Sequence, residues 1–211
     1  MNSELIRNDF PILKTKVGGH QIVYFDNAAT TQRPLPVVNA VLDYTTHENG
    51  NPHRGAHIFA ISASEAYDTS KEVVRDFIHA RSEKEIIYTR NTSESLNLVA
   101  RSYGETHLKA GDHILITIAE HHSNLVTWQR VAQKTGATLD YIYVDKETGH
   151  FPEEELKKID DPRVKLFAFA EVSNVLGIDF DPKPLIQRAH AHGAIVVLDG
   201  AQSTPHKPVD V

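Results

Sequence analysis

Ala194-Ile195-Val196-Val197-Leu198-Asp199-Gly200-Ala201-Gln202 is the stretch that decides the fold. An unbroken apolar run marks a strand covered on both faces, as in a parallel sheet. The carboxylate at its end matters as much, because open α/β sheets bind ligands beyond the C-terminal ends of their strands. Asp199 is costly there unless it meets a cation or hydrogen-bond donors. One such cation is a protonated pyridine nitrogen, which the pairing would keep charged. Gln202 could then give its amide to a neighbouring ring oxygen. The local alternative is an aspartate that caps a turn before Gly200.

Upstream, the same pattern repeats. Apolar runs at Ile86-Ile87-Tyr88, 113–116, 139–144 and 164–169 alternate with helical stretches at 92–103, 123–135, 152–159 and 182–192. Gly136 and Gly193 fall where helix C-caps belong, and Asp181-Pro182 reads as an N-cap followed by a first-turn proline. Such alternation predicts an α/β domain over 61–211, a mostly parallel sheet covered by helices. Residues 1–60 read as an N-terminal segment, partly a smaller lobe bordering the site. It has a Gly18-Gly19 turn, a short strand at Ile22–Phe25, and a helix with Pro36 in its first turn running to about Thr46. Ser62-x-x-Glu65 reads as a capping box opening a further helix.

Composition narrows the function. The 211 residues are 40% hydrophobic and 24% charged, the balance of a folded globular chain. A net charge of −6 argues against a nucleic-acid partner. No apolar stretch approaches the ~18 residues of a membrane span, and the first residues lack a signal-peptide core, so a cytoplasmic protein is expected. There is no cysteine, which removes disulfides, zinc–thiolate sites and thiol nucleophiles from these residues.

Other candidates lie at predicted strand ends. Asn91-Thr92-Ser93-Glu94 opens a helix with capping-box spacing, and Thr92 and Ser93 would also put hydroxyls and N–H groups at a phosphate-binding helix start. Capping alone is the simpler local reading. In Glu120-His121-His122-Ser123-Asn124, Ser123 or Asn124 would cap the next helix. A metal site is disfavoured there, because adjacent histidines point apart and no third ligand is spaced to help. His121 then reads as a structural histidine or as a flat surface over an aromatic ligand. Asn174 is a turn residue or a polar contact beyond the strand that ends near Phe169.

The ordered set of motifs resembles the N-terminal half of class V, fold-type I pyridoxal-phosphate enzymes, and more narrowly the SUF-type cysteine desulfurases. It runs from Arg7-Asn8-Asp9-Phe10-Pro11 and Tyr24-Phe25-Asp26-Asn27-Ala28-Ala29-Thr30 through His53-Arg54-Gly55-Ala56-His57 and Thr89–Glu94. Glu120–Asn124 with Trp128-Gln129, Val172–Gly177 and Asp199–Gln202 complete it. The resemblance implies that Thr92 and Ser93 hold the cofactor phosphate. It implies that His121 stacks on the pyridine ring and shuttles protons, and that Asn174 contacts the ring oxygen or the substrate. Asp199 pairs with the ring nitrogen and Gln202 with the ring hydroxyl. Asn27, Ala28 and Ala29 border the substrate, while His53 and Arg54 lie near a dimer interface.

The implied reaction converts L-cysteine to L-alanine and leaves sulfur on an enzyme cysteine. A SUF acceptor protein takes that sulfur for iron–sulfur cluster assembly, and the full-length enzyme is a homodimer. The family's Schiff-base lysine, in a Ser-x-His-Lys segment, and its persulfide cysteine fall beyond these residues. The expectation is therefore a partial large domain, incomplete at its C-terminus and inactive alone. Other class V enzymes, such as selenocysteine lyases, and a short inert binding protein are the alternatives.

Overall fold

Residues 3–211 are described by a computed structural model and fall into two units, one reaching to Ile86 and the other covering Ile87–Asp210. The first unit holds helix α1 (Ser3–Asn8), a hairpin of β1 (Lys16–Val17) and β2 (His20–Gln21), and helices α2 (Leu35–Asp43) and α3 (Ile58–Phe77). Gly18 and Gly19, with φ of 59° and 86°, turn the hairpin in the left-handed region that suits paired glycines. α2 carries a proline in its first turn and runs on through a π-helical turn at Tyr44–Glu48, slightly longer than predicted.

Two expectations for this unit fail. The strand placed at Ile22–Phe25 does not form, since the ladder ends at Gln21. Tyr24 instead turns its hydroxyl onto the carbonyls of Asp26 and Thr30, at 3.0 and 2.6 Å, and shapes the next turn. The second failure is the capping box at Ser62, because α3 begins a turn earlier with His57 as N-cap. Close backbone approach allows the early start: a Cβ on Gly50 would sit 2.3 Å from the Phe59 carbonyl oxygen, and one on Gly55 2.5 Å from the Ala60 Cβ.

The second unit is the expected α/β layer structure. Its helices are α4 (Thr92–Val99), α5 (Glu105–His107), α6 (His122–Thr135), α7 (Glu153–Leu156) and α8 (Pro182–Ala191), and its strands are β3 (His113–Thr117), β4 (Thr138–Ile142), β5 (Val164–Ala170) and β6 (Ile195–Asp199). The sheet runs β4-β3-β5-β6 with every pair parallel. Alternate residues of each strand serve opposite faces. Ile114, Ile116, Leu166 and Ala168 pack against Trp128 and Val131 of α6, while Leu115, Phe167 and Phe169 pack with Leu185 and Ala189 of α8. This two-sided burial is why the strands read as continuous apolar runs.

The caps predicted at Asp181 and Gly136 hold. Asp181 accepts the Lys183 N–H, and Gly136 adopts φ 76° after α6. The run Ile86-Ile87-Tyr88 forms no ladder among the described residues, because a strand exists only where a neighbouring backbone pairs with it. β6 is an edge of the described sheet, and Ile195–Leu198 are only partly buried. Among the described residues no helix is long and apolar enough to cross a membrane.

Phe167 is fully buried, stacks on Phe169 with ring centroids 4.7 Å apart, and sits on a central strand. Phe167→Ala should therefore cost about 3–5 kcal/mol, read as a lowered midpoint in urea unfolding, whereas a loss under about 1 kcal/mol would mean that the sheet core repacks freely.

Candidate functional site

Parallel pairing carries the C-terminal ends of β3, β5 and β6 to one edge. Ala170, the last residue of β5, lies in register with Asp199, the last of β6, and the Glu171 N–H donates to the Asp199 carbonyl at 3.0 Å. Asp199 is buried, and its Oδ1 accepts the Ala201 N–H at 3.0 Å. The turn role of Asp199 does not exhaust its carboxylate, since one oxygen takes that backbone donor and a carboxylate has capacity for more. Gln202 follows in the same turn and is partly buried.

At the end of β3 the chain turns through Glu120 into α6. The N-cap of that helix is His121, in place of the expected Ser123 or Asn124. The Ser123 N–H donates to His121 Nδ1 at 3.1 Å. A backbone N–H can only donate, so Nδ1 is an acceptor and the neutral ring carries its proton on Nε2. Ser123 Oγ lies 2.9 Å from the same Nδ1, and it therefore donates there as well. Ser93 Oγ, 2.5 Å from Ser123 Oγ, completes the chain and draws the start of α4 to the start of α6.

At α4 the cap reading is realised. Asn91 Oδ1 accepts the Glu94 N–H at 2.9 Å, and Glu94 Oε2 accepts the Arg90 N–H at 2.6 Å. The Asn91 side chain satisfies the third residue of the helix, and the earlier N–H groups of Thr92 and Ser93 belong to the first turn, whose donors have no partner within the helix. Asn174 sits exposed in the turn after β5. That turn is held by Ser173, whose hydroxyl donates to the Ala119 carbonyl at 3.3 Å and receives the Leu176 N–H at 3.2 Å.

Glu120 is the group that reading by motif passes over. Its Oε1 accepts from the Thr117 hydroxyl at 2.5 Å and from the Ala170 N–H at 3.1 Å, and its Oε2 accepts the Asn124 amide at 2.6 Å. Burial pushes this carboxyl up to about 7 from 4.5, helped by the Asp199 charge and opposed by the three donors. A signal is present in the sequence, since an acid sits directly between an apolar strand and a helix, but its partner Ala170 lies 50 residues away.

The remaining candidates belong to the first unit. Asn27, Ala28 and Ala29 form an exposed turn, closed by the Ala29 and Thr30 N–H groups on the Asp26 carbonyl at 3.3 and 3.1 Å. His53 adopts φ 63°, donates its N–H to Ser64 Oγ at 2.8 Å and meets the Tyr67 ring edge-on. Arg54 follows it, exposed.

The chain is similar to known proteins. The family described as Aminotransferase class-V matches residues 23–211. The chain belongs to the class-V aminotransferase family. It is 46% identical over 206 residues to a probable cysteine desulfurase of Synechocystis sp., covering 98% of this chain and 49% of that protein. A probable cysteine desulfurase of Halalkalibacterium halodurans is 46% identical over 211 residues, with coverage of 100% and 52%. The apo structure of a cysteine desulfurase from Thermococcus onnurineus NA1 superposes with a TM-score of 0.89 at 41% identity, over 99% of this chain and 50% of that one. The chain thus spans about half the length of the curated relatives it matches.

The raised Glu120 carboxyl predicts a pH-dependent stability. Its folded form holds a proton that the unfolded chain releases near 4.5, so its contribution is complete below that pH and is lost as the pH rises through about 7. Urea unfolding should show up to about 3 kcal/mol of stability lost across this window, and the slope should vanish in Glu120→Gln. A slope that persists in the variant would assign it to other groups.

Proposed function

We propose that this chain is the cofactor-binding part of a pyridoxal-phosphate-dependent cysteine desulfurase. The observation that carries the reading is the buried Asp199 at the end of β6, in a chain 46% identical across nearly its whole length to probable cysteine desulfurases. The donor set fits the group. Asp199 is a buried anion suited to a pyridinium N–H, the first turn of α4 offers N–H groups and hydroxyls for a phosphate, and the exposed His121 ring offers a flat face.

In this reading Thr92 and Ser93 bind the phosphate, His121 covers the ring, and Gln202 donates to the ring hydroxyl. Asn174 touches the ring oxygen or the substrate. When bound, pyridoxal phosphate supplies an electron sink for bond breaking at the substrate's α-carbon. Asp199 keeps the ring nitrogen protonated, which keeps that sink deep. His121 moves protons at Nε2, because Nδ1 is committed to Ser123. Asn27, Ala28 and Ala29 border L-cysteine, and His53 and Arg54 lie toward a second subunit of a homodimer. The residues fall into a segment at 1–60 that borders the substrate and a cofactor-binding part at 61–211. Sulfur leaves as a protein persulfide for an acceptor of the SUF type, serving iron–sulfur cluster assembly in the cytoplasm.

The test uses the full natural chain with pyridoxal phosphate and L-cysteine, following alanine and sulfide under reductant. Asp199→Ala should lower cofactor affinity by about two orders of magnitude, the effect of stranding a buried charge, while thermal melting of the cofactor-free protein shifts little. Equal loss of folding and binding would make Asp199 structural. Cofactor binding without alanine formation would point to another class V reaction.

A further inference from the structure

We propose that Glu120 is a positioning residue whose carboxyl fixes the spacing between His121 and Asp199. It does so by fastening the ends of β3 and β5 to the first turn of α6. The purpose of the spacing rests on the pyridoxal-phosphate reading; the fastening itself does not.

The carboxyl takes one donor from each of three places. Thr117 is the last residue of β3, Ala170 the last of β5, and Asn124 lies in the first turn of α6. Ala170 is the register partner of Asp199, so a bond to its N–H fixes the strand end beside Asp199. His121 follows Glu120 directly and caps the helix that Asn124 belongs to. A shift of the Glu120 carboxyl would thus move the ring of His121 relative to Asp199, the face contact relative to the edge contact of the same ligand.

The polarity of the network is fixed from inside. The Trp128 indole N–H, which can only donate, gives its proton to Asn124 Oδ1 at 2.8 Å. Trp128 and Asn124 are both fully buried, so neither finds water as a substitute. The Asn124 amide nitrogen must therefore face Glu120, and Glu120 Oε2 must accept. This makes Glu120 irreplaceable by its amide at that oxygen. Glutamine would keep an oxygen for Thr117 and Ala170 but set its NH2 against the NH2 of Asn124. Asn124→Asp alone would set two acceptor oxygens together, a mismatch that only a proton held between them relieves and that is therefore read above the Glu120 range of about 7. The double exchange Glu120→Gln with Asn124→Asp restores the match, since the carboxylate introduced in α6 would accept from both Trp128 and the new amide.

The experiment compares the full natural chain with the two single variants and the double exchange. Each is measured as cofactor-free melting temperature, affinity for pyridoxal phosphate, and visible circular dichroism of the bound cofactor. Each single variant should lose roughly tenfold in affinity and change the dichroism, and the double exchange should recover both to within about threefold, as expected for a matched buried pair. A variant that does not fold is left out, and the double exchange is then read against wild type. Two results would overturn the proposal: single variants that melt lower yet keep wild-type affinity and dichroism, or a double exchange that recovers neither. If wild type takes up no pyridoxal phosphate, the reading of the site fails separately. The melting cycle then judges the fastening alone, and additive losses overturn it.

Discussion

Ala170 stands between the two carboxylates that organise the site. Its position in the parallel register sets it beside Asp199, and its N–H goes to Glu120 at 3.1 Å. That single residue exists in its place because β5 pairs with β3 on one side and β6 on the other. A slip of one residue would exchange the two faces of β5 and send its N–H elsewhere. The apolar packing of both faces against α6 and α8 prevents the slip. The chemistry at the sheet edge is therefore held by the core and not by the loops that carry it.

The sequence is legible where the signal is local. The apolar runs of β3, β5 and β6, the Asp181-Pro182 start of α8 and the glycine after α6 each depend on a few neighbouring residues. The placement of His121, Asn174 and Asp199 at or just beyond the ends of β3, β5 and β6 follows from the alternation of strands and helices. What escapes depends on partners far along the chain. Glu120 gains its meaning from Ala170, and the Ser93–Ser123 contact joins residues 30 apart. Ile22–Phe25 and Ile86–Tyr88 have strand-like composition but form no ladder, because pairing decides strand formation and composition does not.

Local and functional readings of one motif need not compete. Asn91 caps α4 through the Glu94 N–H and Asp199 caps its own turn through one oxygen, and neither cap uses the first-turn N–H groups of Thr92 and Ser93 or the second oxygen of Asp199. His121 is a cap too, and the N–H it accepts at Nδ1 leaves Nε2 as the ring's proton-bearing atom. Capping supplies the rigidity that a binding group requires, because an ordered turn has already lost the freedom that a ligand would otherwise remove.

On the proposed reading, Asp199 holds a protonated pyridine nitrogen. The most direct measurement is the nitrogen chemical shift of isotope-labelled pyridoxal phosphate bound to the natural protein, with and without Asp199→Asn. The account expects a protonated ring nitrogen near neutral pH in the wild type and an unprotonated one in the variant. A ring nitrogen unprotonated in both, or protonated equally in both, would contradict it.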